Sequence, residues 1–268
     1  MINTPGMAIE VQNLDVTFPT HHAVRSASFS APAGKVTALI GPNGAGKSTA
    51  LSAIAGLIPS TGEVFVGGTR ITQRSTAERA RLLSLVPQNT ELRSGFSARD
   101  VVAMGRYPHR KRFTAESEED RAATEEALDA INARDIAEQP VNELSGGQRQ
   151  LIHIGRALAQ NTSVMLLDEP VSALDLRHQV EVLQLLRMRA ARGTTVVVVL
   201  HDLNHVARWC DHAVLLERGQ LAAAGTVAEV LQPSVLSRVY GLPIAVDNDP
   251  VTQSLRVTPL PVNSEHTF

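Results

Sequence analysis

The sequence has one cysteine, no long apolar run and no excess of either charge, and each of these features excludes a class of protein. Cys210 has no second thiol for a disulfide and no companions for a metal cluster, so we interpret it as a small packing residue. The longest aliphatic run, Val196 to Leu200, is far shorter than the roughly 20 apolar residues of a spanning helix. The sequence therefore predicts no membrane-spanning segment.

Positive and negative side chains nearly balance, with 25 Lys and Arg against 27 Asp and Glu and a formal charge of -2. Such a balance gives no net attraction to nucleic acid or to an anionic lipid surface, so we expect no nucleic-acid partner. The amino end, Met1 to Ala8, has neither the basic nor the apolar segment of a secretory signal. We therefore expect the chain to remain in the cytoplasm.

The chain has 268 residues, 43% of them hydrophobic, which is enough for one large domain or two small ones. Alternation from Ile9 to Phe18 predicts half-buried antiparallel strands with a turn at His21–His22, and Gly67–Gly68 predicts a hairpin. Apolar runs that begin at Val36 and Val164 are each followed by a helical pattern. This βαβ order predicts an α/β fold with a mostly parallel sheet covered on both faces.

Two segments depart from this order. From about Ser94 to Leu158 strand-forming residues become scarce while Ala, Glu and Arg increase, which predicts a helical insertion. The last residues are rich in Pro, Thr and Ser, which predicts a loosely held tail.

A glycine-rich run between an apolar strand and a helix predicts a phosphate-binding loop. The run from Gly41 to Ser48 fits G-x-x-x-x-G-K-[ST], and its backbone N–H groups and the helix amino terminus would form a cradle for the β- and γ-phosphates. Lys47 adds a full charge there, and the Ser48 hydroxyl can ligate Mg²⁺. The candidate ATP-binding residues are Gly41, Pro42, Asn43, Gly44, Ala45, Gly46, Lys47, Ser48 and Thr49.

Two adjacent carboxylates follow the apolar strand Val164 to Leu167. Ligands of open α/β sheets bind at the carboxyl ends of the strands, so we expect Asp168 to hold the Mg²⁺ shell. Glu169 is the candidate that orients and polarises an attacking water.

The run Leu144–Gln148 resembles the signature of ATP-binding-cassette ATPases, and it precedes Asp168 and Glu169 as in that family. Gln88 resembles the family's Q-loop glutamine, Asp175 its D-loop aspartate and His201 its switch histidine. The resemblance implies a P-loop NTPase with a RecA-like core, an amino-terminal antiparallel β-subdomain and an inserted α-helical subdomain.

The same resemblance implies one ABC ATPase domain over residues 1–268. Residues 1–90 and 160–245 would form the RecA-like core with its antiparallel β-subdomain, 91–159 the helical subdomain that carries the signature, and 246–268 a carboxyl-terminal tail.

The resemblance also implies roles for single residues. Glu169, His201 and Gln88 would be catalytic, and Ser48, Gln88 and Asp168 would ligate Mg²⁺. A further set would bind the nucleotide of a facing subunit, and consists of Ser145, Gly146, Gly147, Gln148 and Asp175.

Phe18 falls where the family usually has a tyrosine that stacks on adenine. A phenylalanine ring can supply the same stacking, so Phe18 is a candidate base-binding residue. The alternative is that Phe18 packs in the core of the amino-terminal antiparallel strands.

The signature can also be interpreted physically. Ser145, Gly146 and Gly147 precede a helix-prone stretch and would form an anion site at a helix amino terminus, out of reach of the chain's own nucleotide. In the family this site closes over the nucleotide of the other subunit. The resemblance thus implies a head-to-tail homodimer with two ATP molecules between the subunits.

The family's partners are two transmembrane permease subunits, which dock on the helical insertion. A periplasmic or lipoprotein substrate-binding protein acts with them indirectly. The resemblance therefore implies a peripheral protein at the cytoplasmic face of the cell membrane.

Val101 to His109 resembles the sequence found at this place in importers of ferric siderophores, haem and cobalamin, and is most similar to the haem and siderophore group. Cobalamin, zinc or manganese import and a non-transport ABC ATPase remain alternatives. The basic run Arg106 to Arg112 is either a solvated loop or a docking surface, and Glu116 to Asp120 is expected to be a solvated helix face.

Overall fold

Helices and strands alternate along most of the chain. The computed structural model describes residues 8–88, 95–110 and 115–262. Up to residue 110 its elements are β1 (Ile9–Phe18), β2 (His21–Ala31), β3 (Val36–Ile40), α1 (Lys47–Ile54), β4 (Thr61–Val66), β5 (Thr69–Arg70), α2 (Thr76–Leu82), β6 (Leu83–Val86) and α3 (Ala98–Ala103). From residue 115 they are α4 (Glu118–Ala130), α5 (Gly146–Ala159), β7 (Val164–Asp168), α6 (Leu176–Ala191), β8 (Thr195–Val199), α7 (Leu203–Trp209), β9 (His212–Glu217), β10 (Gln220–Thr226), α8 (Val227–Val230), α9 (Pro233–Tyr240), β11 (Ile244–Asn248) and β12 (Leu255–Pro259).

The central sheet has six strands in the order β10-β9-β3-β8-β7-β6. All neighbours from β9 to β6 run parallel, and only β10 is antiparallel. Every residue of β3, β7 and β8 is buried, because helices or the second sheet cover both faces. The predicted α/β class with a mostly parallel sheet is confirmed.

The amino-terminal sheet is antiparallel, with the order β2-β1-β4-β5. Phe18 pairs with His21, so Pro19 and Thr20 form the turn between β1 and β2. The predicted turn at His21–His22 was therefore wrong, because these histidines already pair with β1 as the first residues of β2. The hairpin at Gly67–Gly68 is confirmed, with positive φ angles of 58° and 75°.

Residues 244–259 do not form the loosely held tail that composition predicted, and residues 263–268 of that predicted tail lie outside the described residues. β11 and β12 form an antiparallel hairpin. The Asn204 side chain on α7 binds the outer edge of β12. It accepts a hydrogen bond from the Val257 N–H at 2.8 Å and donates one to the Val257 carbonyl at 3.2 Å. An amide side chain thus satisfies both backbone groups of a buried residue, which polar composition alone does not predict.

Cys210 is a packing residue, as expected. It is 7% exposed at the end of α7, and burial raises the pKa of its thiol, which keeps the sulfur protonated.

The helical insertion contains a buried ion pair between two residues that the sequence predicted to be at the surface, Arg106 and Asp120. The Arg106 guanidinium donates from Nε to Asp120 Oδ1 at 2.9 Å and from Nη1 to the Ala159 carbonyl at 2.9 Å. Burial opposes ionisation of Asp120, yet hydrogen bonds from Arg106 and Ser117 hold its pKa below the ordinary value. Arg106 therefore belongs neither to a solvated loop nor to a docking surface, and Asp120 does not lie on a solvated face.

The remaining basic residues of that run differ among themselves. Arg110 lies 3.9 Å from Asp120 Oδ2, at the edge of the same cluster. Lys111 and Arg112 lie outside the described residues. The buried pair ties the residues after α3 to the start of α4 and the end of α5, which fixes the three helices of the insertion against one another.

Arg106→Leu should lower the free energy of unfolding by about 3–5 kcal/mol, because it leaves the Asp120 carboxylate buried without its main partner. The matched control is Arg74→Ala, which removes the exposed Arg74–Glu78 pair and should cost about 0.5 kcal/mol or less. Urea unfolding monitored by circular dichroism measures both, and equal losses would contradict a structural role for the buried pair.

Candidate active site

The loop between β3 and α1 packs so closely on its neighbours that two positions require glycine. Gly41 has φ 144° and Gly46 has φ 94°. A Cβ at Gly41 would lie 2.1 Å from the Leu216 carbonyl oxygen, and one at Gly46 would lie 2.4 Å from the Ala23 carbonyl oxygen. Both backbone conformation and space exclude side chains at these two positions, so the tight turn of the loop requires glycine there.

Lys47, the first residue of α1, is buried inside the turn of this loop. Its ammonium donates to the carbonyl oxygens of Gly41 at 2.9 Å and Pro42 at 3.0 Å. Burial lowers the pKa of Lys47, and the nearby carboxylates of Glu169 and Asp168 oppose that shift. A desolvated cation at a helix amino terminus is a strong attractor for phosphate oxygens.

Ser48 and Asp168 join the first turn of α1 to the carboxyl end of β7. The Ser48 hydroxyl donates to Asp168 Oδ1 at 2.9 Å. Burial is the main cause that raises the pKa of Asp168; Glu169 adds to the rise, while Ser48, Lys47 and His201 oppose it. The site thus holds a buried carboxylate whose charge a cation would stabilise.

The ligand types suit Mg²⁺. A hydroxyl and a carboxylate are hard oxygen donors, and Mg²⁺ is usually bound by one or two carboxylates together with substrate phosphates. No group of three or more His, Cys, Asp or Glu that could hold a metal by itself occurs in residues 8–88, 95–110 and 115–262. Ser48 and Asp168 therefore fit a cation that arrives with a phosphate ligand.

Glu169 and His201 meet at the ends of β7 and β8. His201 Nε2 lies 2.5 Å from Glu169 Oε1, and the Glu169 side chain is 13% exposed. Glu169 has φ 50°, an uncommon conformation for a residue with a side chain. A carboxylate held by an imidazole can orient a water and accept its proton.

Most of these groups line one cavity of about 860 Å³, although Gly41, Pro42 and Asp168 are not part of its lining. Gln88 lies in its wall, together with most of the phosphate loop, Glu169 and His201. The lining residues are His21, His22, Ala23, Arg25, Asn43, Gly44, Ala45, Gly46, Lys47, Ser48, Thr49, Gln88, Glu169, His201 and Arg218. The fold therefore brings together the loop, the Q-loop glutamine and the two candidate catalytic residues.

Five residues of the cavity lining are not predicted from the sequence. His21, His22, Ala23 and Arg25 belong to β2, and Arg218 lies in the turn between β9 and β10. No local motif marks them, because they reach the cavity through contacts between the two sheets. The Arg25 N–H donates to the Gly219 carbonyl at 2.8 Å, and the Gly219 N–H donates to the Ala45 carbonyl at 3.1 Å.

The signature lies elsewhere on the chain. Ser145 caps α5, accepting from the Gln148 N–H at 3.2 Å, while the Gln148 side chain accepts from the Ser145 N–H at 2.9 Å. None of the residues from Ser145 to Gln148 lines the cavity, and neither does Asp175, which caps α6. The start of the signature helix is thus not part of the cavity that contains the chain's own phosphate loop.

Phe18 does not line the cavity within the described part of the chain. It is 37% exposed, so the alternative of a core phenylalanine was wrong. Its ring stacks on the His21 imidazole, with centroids 5.1 Å apart and planes at 28°.

The family profile described as ABC transporter matches residues 24–172, more than half of the sequence. The chain belongs to the ABC transporter family. As a member it is an ATP-binding-cassette ATPase, and the geometry of Lys47, Asp168 and Glu169 agrees with this activity.

Relatives of this ABC protein align over nearly its whole length. The iron(3+)-hydroxamate import ATP-binding protein FhuC of Bacillus subtilis is 39% identical, over 91% of this chain and 92% of its own. The hemin import ATP-binding protein HmuV of Rhodococcus jostii is 40% identical, over 95% and 87%.

Among solved structures, a dimeric post-hydrolysis state of the ATP-binding cassette MJ0796, bound to ADP and Pi, is 29% identical. It has a TM-score of 0.74 and covers 82% of this chain and 98% of its own. Across the described residues of the present chain, no helix is both long and apolar enough to cross a membrane.

Asp168→Asn should stabilise the nucleotide-free protein at neutral pH while abolishing hydrolysis. The pKa of Asp168 is higher in the folded than in the unfolded protein, so at a pH above the folded-state pKa the ionised carboxylate lowers the free energy of unfolding. At a pH below the unfolded-state pKa the carboxyl group is protonated in both states, and this loss of stability disappears. Melting temperatures of the wild-type protein and of Asp168→Asn, measured between pH 4 and pH 7 at intervals of about one pH unit, test this. A difference in melting temperature that does not shrink toward low pH would contradict it.

Proposed function

We propose that this ATPase is the nucleotide-binding subunit of an importer that takes up haem or a ferric siderophore. The observation that carries the proposal is that Lys47, Glu169 and His201 line one cavity, while the signature of the same chain does not. Asp168 is joined to that lining by its hydrogen bond from Ser48. Relatives named for iron(3+)-hydroxamate and hemin import support the cargo class, because they align over at least 91% of this chain.

Two copies of the chain are needed for one active site. Ser145 caps a fourteen-residue helix, and a Cβ at Gly146 would have nothing within 4 Å, so this helix end is open to an approaching anion. In a head-to-tail homodimer it closes over the ATP held by the other subunit, with Asp175 at the same interface. The dimeric state of the MJ0796 cassette supports this arrangement.

Hydrolysis depends on positioning. Lys47 and the loop N–H groups would hold the β- and γ-phosphates, and Ser48, Asp168 and Gln88 would hold Mg²⁺. When bound, Mg²⁺ neutralises charge that develops on the phosphate oxygens. Glu169 orients the attacking water and accepts its proton, while His201 holds the Glu169 carboxylate in place.

The helical insertion carries a groove that suits a partner helix. It has a volume of about 490 Å³ and includes the aromatic side chains Phe96 and Tyr107, which are 48% and 60% exposed. Charges of both signs surround them, including Arg99, Asp100 and Glu125. Large exposed apolar groups rimmed by charge favour a protein interface, and the expected partners are two transmembrane permease subunits.

The dimer then works at the cytoplasmic face of the membrane, as a peripheral component. A periplasmic or lipoprotein substrate-binding protein delivers cargo to the permease and does not contact this subunit. The ATPase therefore does not contact the cargo, and the choice among haem, siderophore and cobalamin rests with the partners.

Glu169→Gln should retain ATP binding but lower kcat by about 10²–10⁴-fold, because the amide cannot accept the proton of the attacking water. Unhydrolysed ATP should then trap the dimer, which size-exclusion chromatography detects. Adding Ser145→Arg to the same protein is the matched control: it should keep the ATP-bound chain monomeric by blocking close approach at α5. Near-normal turnover of Glu169→Gln would refute the role of Glu169.

Cells that lack this gene should fail to grow when haem or a ferric siderophore is the sole iron source. The wild-type chain should restore growth and Glu169→Gln should not, because uptake needs hydrolysis. Growth at high inorganic iron is the control. A defect confined to cobalamin-dependent growth, or to zinc or manganese limitation, would reassign the cargo.

A further inference from the structure

His201 lies between two elements of the fold that together limit its position. Its side chain is 44% exposed, so packing around the imidazole does little to fix it. The strand before it, β8, is held inside the central sheet, where Val199 pairs with Asp168. The helix after it, α7, begins two residues later at Leu203. Whatever fixes the start of α7 therefore limits the movement of His201.

The helix α7 needs directional contacts with the rest of the chain to keep a fixed position. It has seven residues, and an isolated helix of this length is marginal in water. Leu203 and Val206 pack against the core, but burial of apolar surface is non-directional and does not set the rotation of a helix. Hydrogen bonds must therefore fix its first turn.

Asn204 forms such bonds in two directions. Its backbone N–H donates to Asp202 Oδ1 at 2.7 Å, which caps α7 at the residue after His201. Its side chain accepts from the Val257 N–H at 2.8 Å and donates to the Val257 carbonyl at 3.2 Å. A continuous hydrogen-bonded path thus leads from β12 through Asn204 to Asp202, the neighbour of His201.

The hairpin β11–β12 can serve as an anchor for this path because it has contacts of its own. Val257 is 4% exposed and pairs with Val246 of β11. The Ile244 N–H donates to Ser237 Oγ at 2.9 Å, which ties the start of β11 to α9. The hairpin is therefore attached to a second helix besides α7.

We propose that Asn204 is a positioning residue for ATP hydrolysis, through which the hairpin β11–β12 holds His201 beside Glu169. The inference rests on the hydrolysis roles proposed above for His201 and Glu169, and it adds a distant segment to them. Within the described residues, neither Asn204 nor any residue of β11 or β12 lines the nucleotide cavity. The effect of Asn204 on hydrolysis therefore passes through the backbone of residues 201–204.

Hydrogen–deuterium exchange tests the positional part of the inference without turnover. Asn204→Ala removes the amide and keeps the helix, because alanine is the best helix former. Amide exchange over residues 201–206 should become faster, while α1 and β7 keep their exchange rates. The matched control is Gln253→Ala, which removes an amide that donates to the Pro250 carbonyl in the turn of the same hairpin. It should leave exchange over residues 201–206 unchanged.

Single-turnover hydrolysis by the full chain tests the link to His201. Asn204→Ala should slow hydrolysis about 10-fold, because displacement of a group in the site by about 1 Å can cost up to about 100-fold. The dissociation constant for ATP, measured by calorimetry, should not change. In a His201→Ala background the same substitution should have almost no further effect, because the residue that it positions is already absent. Equal melting temperatures establish that the variants are folded.

Three results would overturn the inference. Unchanged exchange over residues 201–206 in Asn204→Ala would mean that the hairpin does not hold this segment. Faster exchange with a normal rate of hydrolysis would separate Asn204 from the catalytic step. An equal loss of rate in the wild-type and His201→Ala backgrounds, or a weaker affinity for ATP, would assign the effect to a general change in the fold.

The proposed function fails by different results. Normal hydrolysis by His201→Ala would refute the role proposed for His201, and the positioning role of Asn204 with it. A cargo other than haem or a ferric siderophore would overturn the proposed import function alone, since neither exchange nor single-turnover hydrolysis depends on the cargo.

Discussion

The phosphate loop is fixed by backbone packing between the two sheets, and the rest of the site depends on this contact. Its glycines touch the Leu216 and Ala23 carbonyls, where no Cβ fits. The turn at Gly219 hydrogen-bonds to the loop on one side and to β2 on the other. The loop, the amino-terminal sheet and the end of β9 are therefore packed as one unit.

Inside this unit the charges are arranged for a ligand and at a cost to folding. Burial lowers the pKa of Lys47 and raises that of Asp168, so both groups would be more stable in water. Glu169 adds a backbone conformation that is unfavourable for a residue with a Cβ. Such costs persist at sites where a triphosphate and its cation offset them, since polyphosphate stabilises the lysine and the cation stabilises the carboxylates.

The separation of the signature from the cavity is the basis for the proposed dependence on a second subunit. Ser145 and Gln148 satisfy each other's backbone groups, which makes the start of α5 a rigid end. The buried Arg106–Asp120 pair ties that helix to the insertion and to the groove near Tyr107. A movement of the signature would thus be transmitted to the groove as a rigid-body shift of the helices.

The sequence by itself determined the features encoded within a few residues. Val36 to Ser48 contains a buried strand, a glycine turn and a helix start, and the local pattern is enough to predict all three. Asp168 and Glu169 are placed by the apolar strand before them, because carboxyl ends of parallel strands meet at one edge of the sheet.

Only the tertiary structure decided the features that depend on distant partners. Composition cannot show that Asp120 is buried against Arg106, or that Asn204 pairs with Val257 across 53 residues. His21 and Arg218 enter the cavity because two sheets pack on one loop, and no short pattern records that packing. Local periodicity reports which face of an element is apolar, whereas the partner of that face is set by long-range contacts.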